Sequence, residues 1–382
     1  MLQIDVLELK KELENYLAYW SKYMLNINQG SILQEISVGS EPNYKADVGA
    51  MYLSRVIYGA SRSCRLFQSI KYKPLADVAF KLLLEFRNPS GGYFWGRNYK
   101  QRWQHSANDT NMAQAFVLYG LAEYAKINTS SEVTGLIQEQ INFISTTLQT
   151  SKEVSYLDGF DEHWSRSTDM TRSFATHFHT MEALVLVYES KKDPMIKGVI
   201  KDLLNLIMDR FIDHENYSCI HRYSENWEAQ PNENWAGHNA ECSWVICEAA
   251  KSIEDEGLIK KTEQLAILMM DQVIDRARDL TNGGYYNVIR EDGLKEQSKT
   301  WWPQAEMVLG LLNVFRITGE DSYKELAEDQ IRYIRKSFIS EEGEWYAELH
   351  HSGAPVVETP LVFFWKSMYH TIRYYDYLLK FD

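Results

Sequence analysis

MAQAFVLYGLAEYA, residues 112–125, mixes apolar, small and aromatic side chains at helical spacing and carries a single charge. A helix that is apolar nearly all round has no face for water, so it reads as an inner element. The same character returns in YLSRVIYGASRSCRLF (52–67), HTMEALVLVYE (179–189), ECSWVICEAA (241–250), AEMVLGLLNVF (305–315) and MYHTIRYYDYLL (368–379). With Arg55, Ala115, Ala183, Ser243, Met307 and His370 as anchors, six copies recur about every 60–68 residues. Between them lie amphipathic, more charged stretches, at 76–87, 133–148, 196–212, 260–277 and 323–338. Six inner helices, each paired with an outer one, predict an all-α fold: an (α/α)6 barrel of six helical hairpins.

Gly-aromatic turns recur before inner helices, as GGYFW at 91–95, GGYYN at 283–287 and GEWYA at 343–347. Glycine permits left-handed backbone, and the alternation that follows reads as a short hairpin strand. These short β-hairpins are expected at one rim, with their aromatics partly aimed into the mouth. Eight prolines and the lack of a Gly/Ser/Pro-rich linker predict one domain over 1–382.

Composition narrows the partners. A formal net charge of −13 repels phosphate backbones and anionic lipid, so neither nucleic acid nor a membrane surface is expected. No run of 18 apolar residues occurs, and the N-terminus lacks the apolar core of a signal peptide. Four scattered cysteines without a CxxC pair suggest neither a disulfide framework nor a zinc site, so a cytoplasmic location is expected. Aromatic residues make up 13% of the chain, flat surfaces that suit sugar rings as well as cores.

Polar groups inside the inner helices carry the functional signal, since burying one is costly unless it is paired or used. Arg55 interrupts the first inner helix. His179 precedes Glu182 by three residues and His238 precedes Glu241 by three, hence on one helix face. Glu306 follows Trp301-Trp302, and His370 and Arg373 are again three apart. Each falls near the N-terminal part of an inner helix, and in a closed ring equivalent ends converge on one pocket. Such a mouth suits a polar, uncharged ring. Metal binding is one competing use, through His238/Glu241, His177/His179 or His350-His351, although no HExxH pattern appears. A carboxylate-pair glycosidase is another, with Glu182, Glu241, Glu306 and Asp161 available. The His–Glu spacing favours imidazole as acid/base with Glu as its orienter or as a hydroxyl acceptor.

GHNAECSW (237–244), TWWPQAEMVLGLLNVFRITGE (300–320), GEWYAEL (343–349) and WKSMYHTIR (365–373) resemble the N-acylglucosamine 2-epimerase superfamily, which includes cellobiose 2-epimerases, mannose 2-epimerases and mannose isomerases. The resemblance spreads from about residue 45 to the end. It implies a sugar 2-epimerase on an (α/α)6 barrel, with His238 and His370 as acid/base catalysts and no metal or other cofactor. Arg55, His179, Glu241, Trp302, Glu306, Trp365 and Arg373 are implied to bind or polarise a small-molecule sugar. The assembly expected is a monomer or homodimer. An aldose–ketose isomerase using the same site is one alternative; a carbohydrate-binding barrel without turnover is another. Departures lie at NQGSILQ (28–34), at NMA (111–113), and at Ala175 and His177 in FATHF. The segment SENWEAQPNENWAG (224–237) is short, which favours epimerase over isomerase.

Overall fold

A computed structural model of the protein describes residues 5–149, 154–231, 233–289 and 298–381. Position 232, in the short segment ahead of His238, thus lies outside the described residues. The inner helices are α2 (Ala50–Leu66), α4 (Thr110–Tyr124), α6 (Phe174–Lys191), α8 (Ala236–Ser252), α10 (Trp301–Thr318) and α12 (Tyr369–Leu379). The outer helices are α1 (Val6–Tyr19), α3 (Lys73–Leu84), α5 (Ser131–Phe143), α7 (Pro194–Arg210), α9 (Glu256–Ala277) and α11 (Asp321–Ser337). Amphipathicity sorts them as the periodicity predicts. Nearly every residue of α4 is buried, whereas α11 hides only a stripe through Tyr323, Ala327, Ile331 and Ile334. Consecutive inner helices pack side by side, and α12 touches both α10 and α2, which closes the (α/α)6 ring. The sixth outer helix is α1, packed on α12.

Short antiparallel pairs tie the hairpins together at one rim. The strand entering α2 (Val48–Gly49) pairs with Gly96–Arg97, which follows α3. Likewise Arg166–Ser173 pairs with Arg222–Ser224, Asn234–Trp235 with Val288–Ile289, and Ser298–Thr300 with Glu348–His350. Each pairing fixes the strand entering an inner helix against the chain leaving the next outer one. The N-termini of the inner helices are therefore held at one end of the ring.

The Gly-aromatic turns sit there, but their first aromatic faces the wall instead of the mouth. Tyr93, Tyr285 and Trp345 are all buried. The reason is a repeated lock. Gln114 Oε1 accepts from Tyr93 N at 2.9 Å while its Nε2 donates to Tyr93 O at 2.8 Å. Gln304 does the same for Tyr285, at 3.0 and 2.8 Å. A Cβ on Gly92 or Gly284 would lie 2.8 or 2.9 Å from that glutamine oxygen, and both glycines have positive φ. Of GGYFW, it is Trp95 that reaches the neighbourhood of Trp365, with ring centres 6.2 Å apart.

Helix contact in the ring is close enough to test. A Cβ on Gly120 of α4 would stand 2.7 Å from Ser54 O of α2, a backbone atom that cannot swing aside. Gly120→Val is expected to destabilise the protein by about 1–3 kcal/mol, the usual range for overpacking. Thermal unfolding followed by circular dichroism checks this; an unchanged midpoint would mean that α2 and α4 separate freely.

Candidate active site

Arg55, His179, Glu241 and Glu306 each stand five residues after the first residue of their helix, on α2, α6, α8 and α10. Because these helices start at the same rim, equivalent positions meet on the axis. Arg373, from the first turn of α12, binds what converges there. Its Nη1 donates to Glu182 Oε1 at 2.7 Å, and its Nη2 reaches Glu306 Oε1 at 2.7 Å and Glu241 Oε1. One guanidinium, 4% exposed, thus ties four inner helices together. The Tyr369 hydroxyl adds donation to Glu182 at 3.1 Å.

The second contacts of these carboxylates aim the imidazoles. Glu306 Oε1 accepts from His370 Nδ1 at 2.7 Å, while its Oε2 is held by Trp244 Nε1 at 2.9 Å. Glu182 Oε2 accepts from His179 Nδ1 at 2.6 Å. With Nδ1 carrying the proton in both rings, Nε2 is left as a lone pair without a hydrogen-bond partner among the described residues. His238 differs. Its Nδ1 is buried without a partner, and Glu241, three residues on, turns to Arg373 instead. The expectation that Glu241 orients His238 therefore fails, because the arginine offers that carboxylate a full opposite charge. Aromatic rings hold His238 in place: His221 at 4.7 Å and Trp302 at 4.9 Å, with Trp302 also 5.4 Å from His370. Arg55 lies with its guanidinium 4.1 Å over the Phe116 ring and donates to the Trp365 carbonyl at 3.0 Å. The Trp365 side chain is 40% exposed at the rim.

Burial dominates the electrostatics. It pulls His179 down to about 3 and takes His238 and His370 well below the ordinary imidazole value. It pushes Glu182 up to about 7 and also raises Glu241 and Glu306, each opposed by Arg373. Arg55 is lowered to about 10 by the same desolvation. Burial works against the charge of Arg373 too, but Glu306, Tyr369, Glu241 and Glu182 overcome it and raise its pKa. The resting rings are neutral at neutral pH, which is the state a base requires.

Two triads, His179/Glu182/Glu241 and Glu241/Glu306/His370, bring donor atoms within 4.8 Å of one another, a spacing that suits a metal ion. The cation these carboxylates already hold is Arg373, and a divalent ion would have to displace it. The other sequence candidates fall elsewhere. His177 is locked in the wall, its Nδ1 donating to Ser173 O at 2.7 Å and its Nε2 accepting from Tyr156 N at 2.9 Å. Asp161 is an exposed turn residue accepting from His163 N and Ser165 N, both at 2.8 Å. His350 and His351 are exposed. Sequence reasoning missed Tyr369, Phe116, Trp95 and His221. Tyr369 and Phe116 sit beside singled-out positions on helices already read as inner, so a helical wheel would have found them. Nothing in HRYS marks His221.

Arg373 offers a direct test of this cluster. Arg373→Met strands three buried carboxylates and is expected to cost about 3–5 kcal/mol at neutral pH. Their pKa values, already raised, rise further without the cation. Protonated carboxyls support the fold below the ordinary value near 4.3, and that support is lost as pH climbs through the raised folded values. The deficit against the native protein should thus be largest near pH 7 and shrink towards pH 5. Denaturant melts at the two pH values check this, and a deficit that does not vary with pH would contradict the cluster.

Comparison with known proteins bears on the family and the fold. A family model described as N-acylglucosamine 2-epimerase (GlcNAc 2-epimerase) matches residues 34–373. Cellobiose 2-epimerase of Bacteroides fragilis is 24% identical over 379 residues, 96% of each chain. Cellobiose 2-epimerase of Dictyoglomus turgidum is 25% identical over 388 residues, covering 97% of this chain and 98% of its own. Among solved structures, cellobiose 2-epimerase from Bacillus thermoamylovorans superposes with a TM-score of 0.88 at 22% identity, covering 98% of both chains. A D-mannose isomerase superposes at 0.87 with 18% identity, covering 98% of this chain and 97% of its own.

Proposed function

The chain belongs to the N-acylglucosamine 2-epimerase family and is a sugar epimerase, and from that premise we propose that it inverts C2 of an aldose with two bases, His370 removing one proton and His238 delivering another. The observation that carries this reading is the contact from His370 Nδ1 to Glu306 at 2.7 Å, which leaves the other ring nitrogen as a base. The hydrogen on C2 beside an open-chain aldehyde is weakly acidic, and its removal leaves an enediolate. His370 takes that proton. Arg55, charged and not bound to any carboxylate among the described residues, faces the negative charge that develops on O1 and O2. His238, which must enter this step protonated from solvent, delivers its proton to the opposite face of C2; that inverts the carbon and leaves His238 neutral and His370 protonated. His179, held by Glu182, hydrogen-bonds a sugar hydroxyl, and Trp302 lies flat against the ring. Return of the proton to C1 instead yields a ketose, so epimerase and isomerase differ by where the second proton lands.

Cellobiose is the first substrate to try, because the curated relatives carry that name and the exposed Trp365 gives a second ring a surface; mannose is the next. In D2O, NMR should show deuterium at C2 of the epimeric product and little in early recovered substrate, since two different residues handle the two protons. Each of His370→Asn and His238→Asn should slow this exchange by about 10²–10⁴-fold, the usual contribution of a general acid or base. Both variants working within tenfold of the native protein would refute the assignment. Fructose-type product would shift the outcome to isomerisation at the same residues, and monosaccharide release from cellobiose would shift it to hydrolysis.

A further inference from the structure

The far end of the ring holds a second cavity, of about 420 Å³, among the C-terminal halves of the inner helices. Its inner end is formed by Arg373, Glu182 and Trp244, the groups that hold His179 and His370 from behind. Its outer wall is densely charged, and the charges are not evenly satisfied.

Every carboxylate in the wall has a cation. Glu189 meets Lys126 at 2.8 Å, Asp376 meets Lys380 at 2.6 Å, and Glu248 meets Lys251 at 3.7 Å. The donors fare worse. Arg316 reaches only neutral acceptors, the Tyr377 hydroxyl at 3.3 Å and the carbonyls of Phe381 and Lys380 at 3.4 and 3.5 Å. Among the described residues it makes no ion pair. Arg62 is ion-paired with Glu123 and Asp376, both at 3.6 Å, yet its buried Nε makes no hydrogen bond to either. Tyr58 is 0% exposed, lines the cavity, and its hydroxyl has no hydrogen-bond partner. A buried donor without an acceptor costs about 1–3 kcal/mol, so the Tyr58 hydroxyl and Arg62 Nε indicate what a ligand has to supply, while Arg316 is exposed and its charge is open to one. Here that is acceptor oxygens close to a cation.

We propose that this cavity is a binding site for a small oxyanion, a phosphate- or carboxylate-bearing molecule, with Arg316 as its cation and Tyr58 and Arg62 as its donors. Such a ligand would lie at the back of the Arg373 cluster, against Trp244, whose fluorescence then reports it.

Full-length protein titrated with inorganic phosphate, at ionic strength held constant with sodium chloride, should give a saturable change in tryptophan emission. Acetate in a parallel titration separates a carboxylate ligand from a phosphoryl one, and a response to either supports the site. Arg316→Gln should weaken the response roughly tenfold or more, as loss of a charge-assisted contact does. Tyr58→Phe, which keeps the ring and its packing, should weaken it severalfold and serves if the arginine variant folds poorly. His370→Asn should leave it unchanged. No saturable change with either anion, a change indifferent to both Arg316→Gln and Tyr58→Phe, or one abolished by His370→Asn would each overturn the proposal.

Discussion

A guanidinium on the axis of a helical ring loses its water, and the loss is tolerable only if several carboxylates come to it. Arg373 obtains three, from three different helices, and supplies the fourth helix itself. That requirement organises the mouth of the barrel. Glu241 and Glu306 stand at the same place on α8 and α10, and Glu182 lies three residues further along α6, so the one guanidinium fixes how these helices sit against each other. Two of the three carboxylates also hold an imidazole, Glu182 with its second oxygen and Glu306 with the same oxygen that meets the arginine. The aim of His179 and His370 thus follows from the solvation of a residue that need not touch substrate at all.

The fold adds a second electrostatic influence at this end. All six inner helices begin at this rim, and helix N-termini favour negative charge. The carboxylates themselves lie deeper, Glu241 and Glu306 at the sixth residue and Glu182 at the ninth, so the field acts most on an enediolate forming nearer the rim. The far end of the ring has the opposite character. Helix C-termini face it, and arginines such as Arg62, Arg65 and Arg316 gather there, with Arg316 resting on the last carbonyls of α12. The two mouths of one barrel are therefore electrostatically unlike, although both are built from the same repeat.

Periodicity carried the architecture in the sequence because a helix buried on all sides cannot disguise its composition. The site was legible for a related reason: polar residues interrupt those helices at equivalent places. What stayed hidden was pairing. The three-residue spacing that joins His179 to Glu182 is real in the structure. The same spacing at His238 and Glu241, and at His370 and Arg373, joins nothing, because ring closure brings Glu241, His370 and Arg373 stronger partners from distant helices and leaves His238 to its aromatic neighbours. Local spacing reports which face a side chain occupies, and only the closed ring decides what it meets. The Gln114 and Gln304 locks were hidden likewise, since a single glutamine in an apolar helix looks like a tolerated exception until the turn it clasps is folded against it.

The unequal surroundings of the two histidines bear on the direction of proton flow in the proposed mechanism. A carboxylate at Nδ1 favours the protonated ring, and His370 has one in Glu306. His238 has none, and its nearest ring neighbour is another imidazole, His221. Burial lowers both, but it does so against a compensating charge at only one of them. The proton therefore rests more comfortably on His370, which suits it to abstraction, while His238 is built to let a proton go. Running the reaction backwards demands the reverse, so the two epimers engage different protonation states of the free enzyme. Those two states carry the same number of protons, so pH moves both directions together, and the asymmetry between Glu306-backed and unbacked imidazole sets only which of the two states the free enzyme prefers.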